Sequence, residues 1–287
     1  MNRALLLVLS ILISSSTISQ SFNFSKEIGF AKYLQDKDQL VESILVLNSI
    51  DTQYLIQNQK DSLHYEIGWF YYTQKNLDSA ILHFKKISEN DPRKLKTTFF
   101  IAYFQAYLKQ YNNSELTLNS IHSNDTAFQQ LKNFQLAGSA LLKKDFNQFS
   151  NFSNNFKYNN FAFENEEKNF VEYKNKSLRH ANKSPFIAAT LSAIIPGAGK
   201  WYAGKKKEGF GAFLPIISAG LLTLEGYNRG GLKDARFLIF GTLFTTFYVG
   251  NIWGSAIAVK IARTEYQNKY ENKILFDLHI PLRNIFN

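Results

Sequence analysis

The alternation of apolar and polar positions changes character along this chain of 287 residues. Arg3 is followed by a largely apolar run at 4–13 and a Ser-rich polar run at 14–20, the three-part pattern of a secretory signal peptide cleaved after Ser19. The apolar run of ten residues rises only about 15 Å as a helix and cannot cross a hydrocarbon core of about 30 Å, so a removed leader is expected at 1–19. From 20 to 160 the pattern predicts paired amphipathic helices. It is clearest at 62–92, where two helices of about equal length join at Lys75-Asn76. Residues 161–184 read as a polar linker, 185–260 as a membrane domain and 261–287 as a C-terminal tail.

The membrane domain holds three apolar segments. Those at 186–199 and 210–224 are short, the second interrupted by Pro215, so the first either crosses with help from Trp201 and Tyr202 or turns back. The twenty-three uncharged residues at 237–259 rise about 34 Å and can span. Pro196, Gly197, Gly199 and Gly204 punctuate the chain before Lys205, Lys206 and Lys207. Small residues recur every fourth position at Ala189, Ala193 and Gly197, and again at Gly250, Gly254 and Ala258. Such rows predict close packing of these helices on one another or on a second copy of the chain. Asn251 is a polar side chain inside the longest segment, costly there unless paired or functional.

The fold class expected is therefore all-α: an array of helical hairpins followed by a small transmembrane helical domain. Residues Ile67, Gly68, Tyr71, Ala80, Phe84 and Pro92 resemble the tetratricopeptide repeat at its marked positions, with His64 where that family carries Trp. In this reading the small residues allow close crossing of the paired helices, the aromatics fill the gap between hairpins and the proline ends the second helix. Weaker copies surround this unit. Gly29, Tyr33, Ser43, Leu47 and Ile50 suggest one before it; Ile101, Ala102, Ser114, Leu118 and Ile121 suggest one after it, with Gln105 replacing the aromatic; Leu136, Ala137, Leu141 and Phe146 suggest a fourth. Several such units are needed to bury a shared core.

The resemblance implies a protein partner bound on the concave face lined by the first helix of each pair. Carried onto this chain, that face would present Tyr65, Trp69 and Tyr72 in the best unit and Phe99, Tyr103 and Tyr107 in the next. The first three recur at i, i+4 and i+7 and share one helix face. The same rings could instead pack between hairpins.

The membrane domain has its own resemblance. Pro196-Gly197-Ala198-Gly199-x-x-Tyr202-x-Gly204, followed by Tyr248-Val249-Gly250-Asn251-Ile252-Trp253-Gly254, is similar to the C-terminal membrane domains of uncharacterised bacterial proteins. These look like relatives of small two-helix membrane domains with a Pro-Gly-x-Gly-x-x-Tyr-x-Gly turn, and tetratricopeptide repeats often precede them.

Charge sets an expected orientation. Lys205 to Lys207 and the group Lys260, Arg263, Lys269 and Lys273 are both expected in the cytoplasm. With three spans this puts the array on the opposite side, in the periplasm, anchored in the inner membrane. The net charge of +10 is scattered over helical patterns and does not point to nucleic acid. With no cysteine, disulfides, thiolate metal sites and thiol nucleophiles are excluded, and the five histidines show no pair at metal-ligand spacing. The segment from Gly199 to Lys206 fits the outline of a phosphate-binding loop but lacks the Ser or Thr that holds magnesium. No cofactor is expected. The function expected is a non-enzymatic, membrane-anchored interaction scaffold. The alternative is a small transport or insertion component whose helices carry the activity and whose repeats regulate it.

Overall fold

The computed structural model describes residues 23–286, so the leader expected at 1–19 lies outside the described residues. All regular structure among the described residues is helical. They form two compact units that divide between Ile101 and Ala102, inside one helix.

The first unit contains α1 (Phe24–Asp36), α2 (Leu40–Ser49), α3 (Gln57–Thr73), α4 (Leu77–Lys85) and the first part of α5 (Lys94–Tyr107). Ile28, Ala31, Leu47, Ile50, Leu55, Leu63 and Ile67 form its core, with Tyr71 packed against them. The α3/α4 crossing is tight because Gly68 has no side chain: a Cβ there would stand 2.3 Å from the Phe84 ring. In the α1/α2 crossing, Ser43 Oγ donates to the Ala31 carbonyl at 2.9 Å.

The second unit contains the rest of α5, then α6 (Tyr111–Asn119), α7 (Thr126–Lys143), α8 (Phe146–Ser153) and α9 (Glu164–Ala181). After these come α10 (Pro185–Ile194), α11 (Ala198–Ala203), α12 (Lys206–Gly230) and α13 (Ala235–Phe286). Phe134 of α7 stacks on Phe170 of α9 with centroids 4.5 Å apart. Residues 161–184 are thus no linker. Despite their polar composition they form a helix with Glu167, Phe170 and Tyr173 buried along one face.

Four turns repeat the same local geometry. Asp38, Lys75, Lys109 and Lys144 each adopt left-handed backbone, with φ of 59°, 58°, 61° and 62°. The following amide bonds five residues back: Gln39 to Leu34 at 2.8 Å, Asn76 to Tyr71 at 2.9 Å, Gln110 to Gln105 at 2.8 Å and Asp145 to Ala140 at 2.9 Å. This is the Schellman closure of a helix end. Seven residues before each turn residue stands a buried small residue: Ala31, Gly68, Ala102 and Ala137.

That register corrects two expectations. Ala31, not Gly29, is the counterpart of Gly68; Gly29 faces open space and Tyr33 is half exposed. Nor does Pro92 end α4, which stops at Lys85. Buried Asp61 does that work, accepting from the Ser88 amide at 2.9 Å and the Ser88 hydroxyl at 2.5 Å. Pro92 lies in the turn before α5.

Of the three apolar segments, two become long helices, α12 and α13, long and apolar enough to cross a membrane and mostly exposed along their apolar stretches. The first segment is different: α10 runs for ten residues and the chain folds back at Ile195-Pro196-Gly197 into α11. The Ser184 amide before α10 donates to the Tyr202 hydroxyl on α11 at 3.0 Å, so both ends of this segment lie together.

The expected tail is not a tail. α13 continues unbroken for 52 residues, about 78 Å. Beyond the apolar stretch its face of Tyr270, Ile274, Leu278 and Leu282 is buried, at the i, i+4 spacing of a helix seated on others. It packs against α7 and α9, and Gln135 of α7 donates to the Leu278 carbonyl at 2.7 Å.

Candidate functional site

The sequence points to two places, one in each unit. In the first unit Tyr65, Trp69 and Tyr72 do share a face of α3. Trp69 meets Tyr65 and Tyr72 edge-on at 5.8 and 5.3 Å, and its other edge contacts are Phe84 and Phe100 at 5.4 and 4.8 Å. All three residues are partly exposed. Cations stand over this row: Arg93 lies 5.3 Å from the Tyr65 ring and Lys96 5.1 Å from Trp69, within the range where a ring face attracts a cation. The indole Nε1 of Trp69 is buried without a hydrogen-bond partner.

The expected continuation of this face does not hold. Phe99 is fully buried and cannot meet a partner. In the second unit Tyr103 is buried too, stacked on His279 of α13 at 5.1 Å, and only Tyr107 is open. The chain's own C-terminal helix thus covers the inner side of Tyr103. The cause is the continuation of α13, which the polar composition of its last third conceals.

Sequence reading also missed a contact inside the best unit. His64 and His83, nineteen positions apart, bring their Nδ1 atoms to 3.3 Å across the α3/α4 hairpin. Burial holds both rings below the usual imidazole range, His83 at about 4, with His64 and Lys86 adding to the effect on His83. One ring must donate and the other accept, so at least one is neutral. Among the described residues no group of three or more His, Asp or Glu side chains could hold a metal ion.

The second place is the turn motif of the membrane domain, whose members converge. Gly197 has φ of +84°, and a Cβ there would stand 2.2 Å from the carbonyl oxygen of Gly209. Gly199 packs backbone to backbone on α10: its Cβ would lie 1.9 Å from the Ala188 oxygen. Pro196 is buried in the turn, Tyr202 takes the Ser184 amide, and Gly204, with φ of +93°, ends α11.

The polar groups of this turn are matched from α13. Ser192 and Ser255 share a buried hydrogen bond of 2.7 Å, and the Gly199 amide donates to Ser192 Oγ at 2.9 Å. Tyr248 donates to the Ala193 carbonyl. Asn251 Nδ2 reaches the Ser192 carbonyl at 3.5 Å, while its Oδ1 is buried and unpaired.

The packed rows differ from those expected by one residue at two positions each, while Ala258 and Gly197 stay in place. Ala188 and Ser192, not Ala189 and Ala193, face Asn251, Ser255 and Ala258, and Gly250 looks onto open space. A strict search for small residues passes over the two serines, which pack like small residues and also pair.

The lysine turn after α11 is tied to the more distant part of α13. Lys205 forms an ion pair with Glu265 at 2.5 Å, and Arg263 donates to the Lys183 carbonyl. The lysine turn, the C-terminal part of α13 and helices α7 and α9 therefore meet at one end of the α12/α13 pair.

No protein-family model, no curated protein and no solved structure matches the chain.

Proposed function

We propose that this protein is a non-enzymatic scaffold held in the inner membrane by α12 and α13, with a tetratricopeptide-like array on the periplasmic side that recruits a protein partner. The repeated hairpin turns support the array, and the exposed apolar lengths of α12 and α13 support the anchor. Two crossings, with the segment at 186–199 re-entrant, leave residues 23–185, the lysine turn at 205–207 and residues 260–286 on one side, in line with the Lys205–Glu265 ion pair. The leader pattern at 1–19 favours export, since long domains translocate largely regardless of nearby charge. Arg229, Lys233 and Arg236, at the far end of the pair, then face the cytoplasm.

One observation carries the partner reading: the partly exposed row Tyr65, Trp69 and Tyr72, rimmed by Arg93 and Lys96. Such a surface suits an extended, acidic segment of a partner. A photo-crosslinker at Tyr65 is expected to trap one discrete partner, and Tyr72→Asp with Lys96→Glu should abolish the adduct at unchanged helicity. An adduct that survives that pair of substitutions sinks the reading. The transport alternative draws on Asn251; its contact with the Ser192 carbonyl supports a bracing role for it instead.

A further inference from the structure

The side of the α12/α13 pair that bears α11 carries a groove of about 340 Å³. Gly211 and Gly250 form its floor, where an added Cβ would meet nothing within 4 Å. Pro215, Ile216 and Phe247 line its apolar walls, and Lys200 of α11 closes one end. The Lys200 side chain lies against Gly254, its Nζ 4.0 Å from where a Cβ would be. That is one helical turn from Gly250 toward Lys260, on the array side. No carboxylate among the described residues pairs with Lys200, unlike Lys205 with its Glu265. The groove is thus amphipathic along its length, a cation at the array end and an open apolar channel running deeper.

Gly254 stands six residues below Lys260, about 9 Å along the helix. Exposed Ile257 and Ile261 continue the apolar surface between and beyond them. An ammonium at that depth without a counter-ion is costly, and a lipid phosphate in the same leaflet would lie within its reach. We propose that the groove binds one anionic phospholipid, its phosphate on the Lys200 ammonium and one acyl chain laid over Gly211 and Gly250. This rests on the membrane reading above.

The test uses full-length protein in phosphatidylcholine vesicles with and without phosphatidylglycerol, followed by detergent extraction and native mass spectrometry. The wild type should retain one phosphatidylglycerol. Lys200→Met should weaken that retention about fivefold, the worth of one lysine near an anionic surface, and Lys200→Arg should restore it. Gly250→Leu should block retention by filling the channel. Equal retention by wild type, Lys200→Met and Gly250→Leu, or no preference for phosphatidylglycerol over phosphatidylcholine, overturns the proposal. Alkaline extraction of the membranes separates the two failures: release of the wild type defeats the membrane reading itself, whereas an integral protein with indifferent lipid retention defeats only the groove.

Discussion

Tyr173 of α9 donates its hydroxyl to the carboxylate of Asp277 on α13 at 3.0 Å, in a buried setting, and Asn169 adds a second donor at 3.1 Å. This joins the far end of α13 to α9. Burial pushes the Asp277 carboxyl above its ordinary range, against the pull of Tyr173, Asn169 and Lys273. Tyr173→Phe removes one donor and should cost about 1–3 kcal/mol, the penalty of an under-satisfied buried group. Asp277→Asn keeps an acceptor without the charge and should cost less. Thermal unfolding with limited proteolysis at 266–286 checks both. Burial raises the folded value, so stability falls as pH rises through it and a buried charge forms; wild type should gain at low pH and Asp277→Asn should not.

The histidine pair has the opposite sign. Both His64 and His83 are held below the ordinary value of 6.5, His83 at about 4. Their folded form is neutral, so the stability they contribute is present above pH 6.5 and declines as pH falls toward 4. After allowance for solvent screening the loss should be about 1–2 kcal/mol. Urea unfolding followed by Trp69 fluorescence, with Trp201 and Trp253 replaced by Phe, measures it in the first unit. His83→Phe should flatten the dependence.

The four left-handed turn residues are not glycine, and a side chain in that conformation is strained by about 1 kcal/mol. Lys75→Gly and Lys144→Gly should each raise stability by about 0.5–1 kcal/mol, less what glycine adds to the freedom of the unfolded chain. A fall in stability on either substitution would mean that the lysine side chain is needed where it stands.

Gly199→Ala should disrupt the re-entrant turn, because its Cβ would lie 1.9 Å from a backbone oxygen that cannot swing away. A loss of about 3 kcal/mol or more is expected. Gly250→Ala, facing open space, is the matched control and should be silent. Thermostability of the detergent-solubilised protein compares them.

The hairpins were legible because a buried helix pair shows in periodic apolar residues, and Gly68, Ala80 and Phe84 stand where close crossing needs them. The turn motif was legible because only glycine tolerates the contacts at Gly197 and Gly199. Other features were hidden by chemistry that composition does not show. Asp277 and Gln135 are polar residues that belong to a buried interface, so α13 read as a tail. Ser192 and Ser255 did not register as members of a small-residue row. The register of the first hairpin needed Asp38, whose left-handed backbone no glycine announced. Whether the segment at 186–199 crosses or folds back was not legible, because the bonds that fold it reach residues far away in sequence, as from Ser192 to Ser255.

The central claim is that the array and the lysine turn occupy the same side of the membrane, with the loop between α12 and α13 on the other. As the chain has no cysteine, single cysteines at Ser79, Lys206 and Leu232 can each be probed in intact and permeabilised cells with a membrane-impermeant thiol reagent. The account predicts that positions 79 and 206 label together and 232 only once the inner membrane is breached. Labelling of 79 and 206 from opposite sides would contradict it.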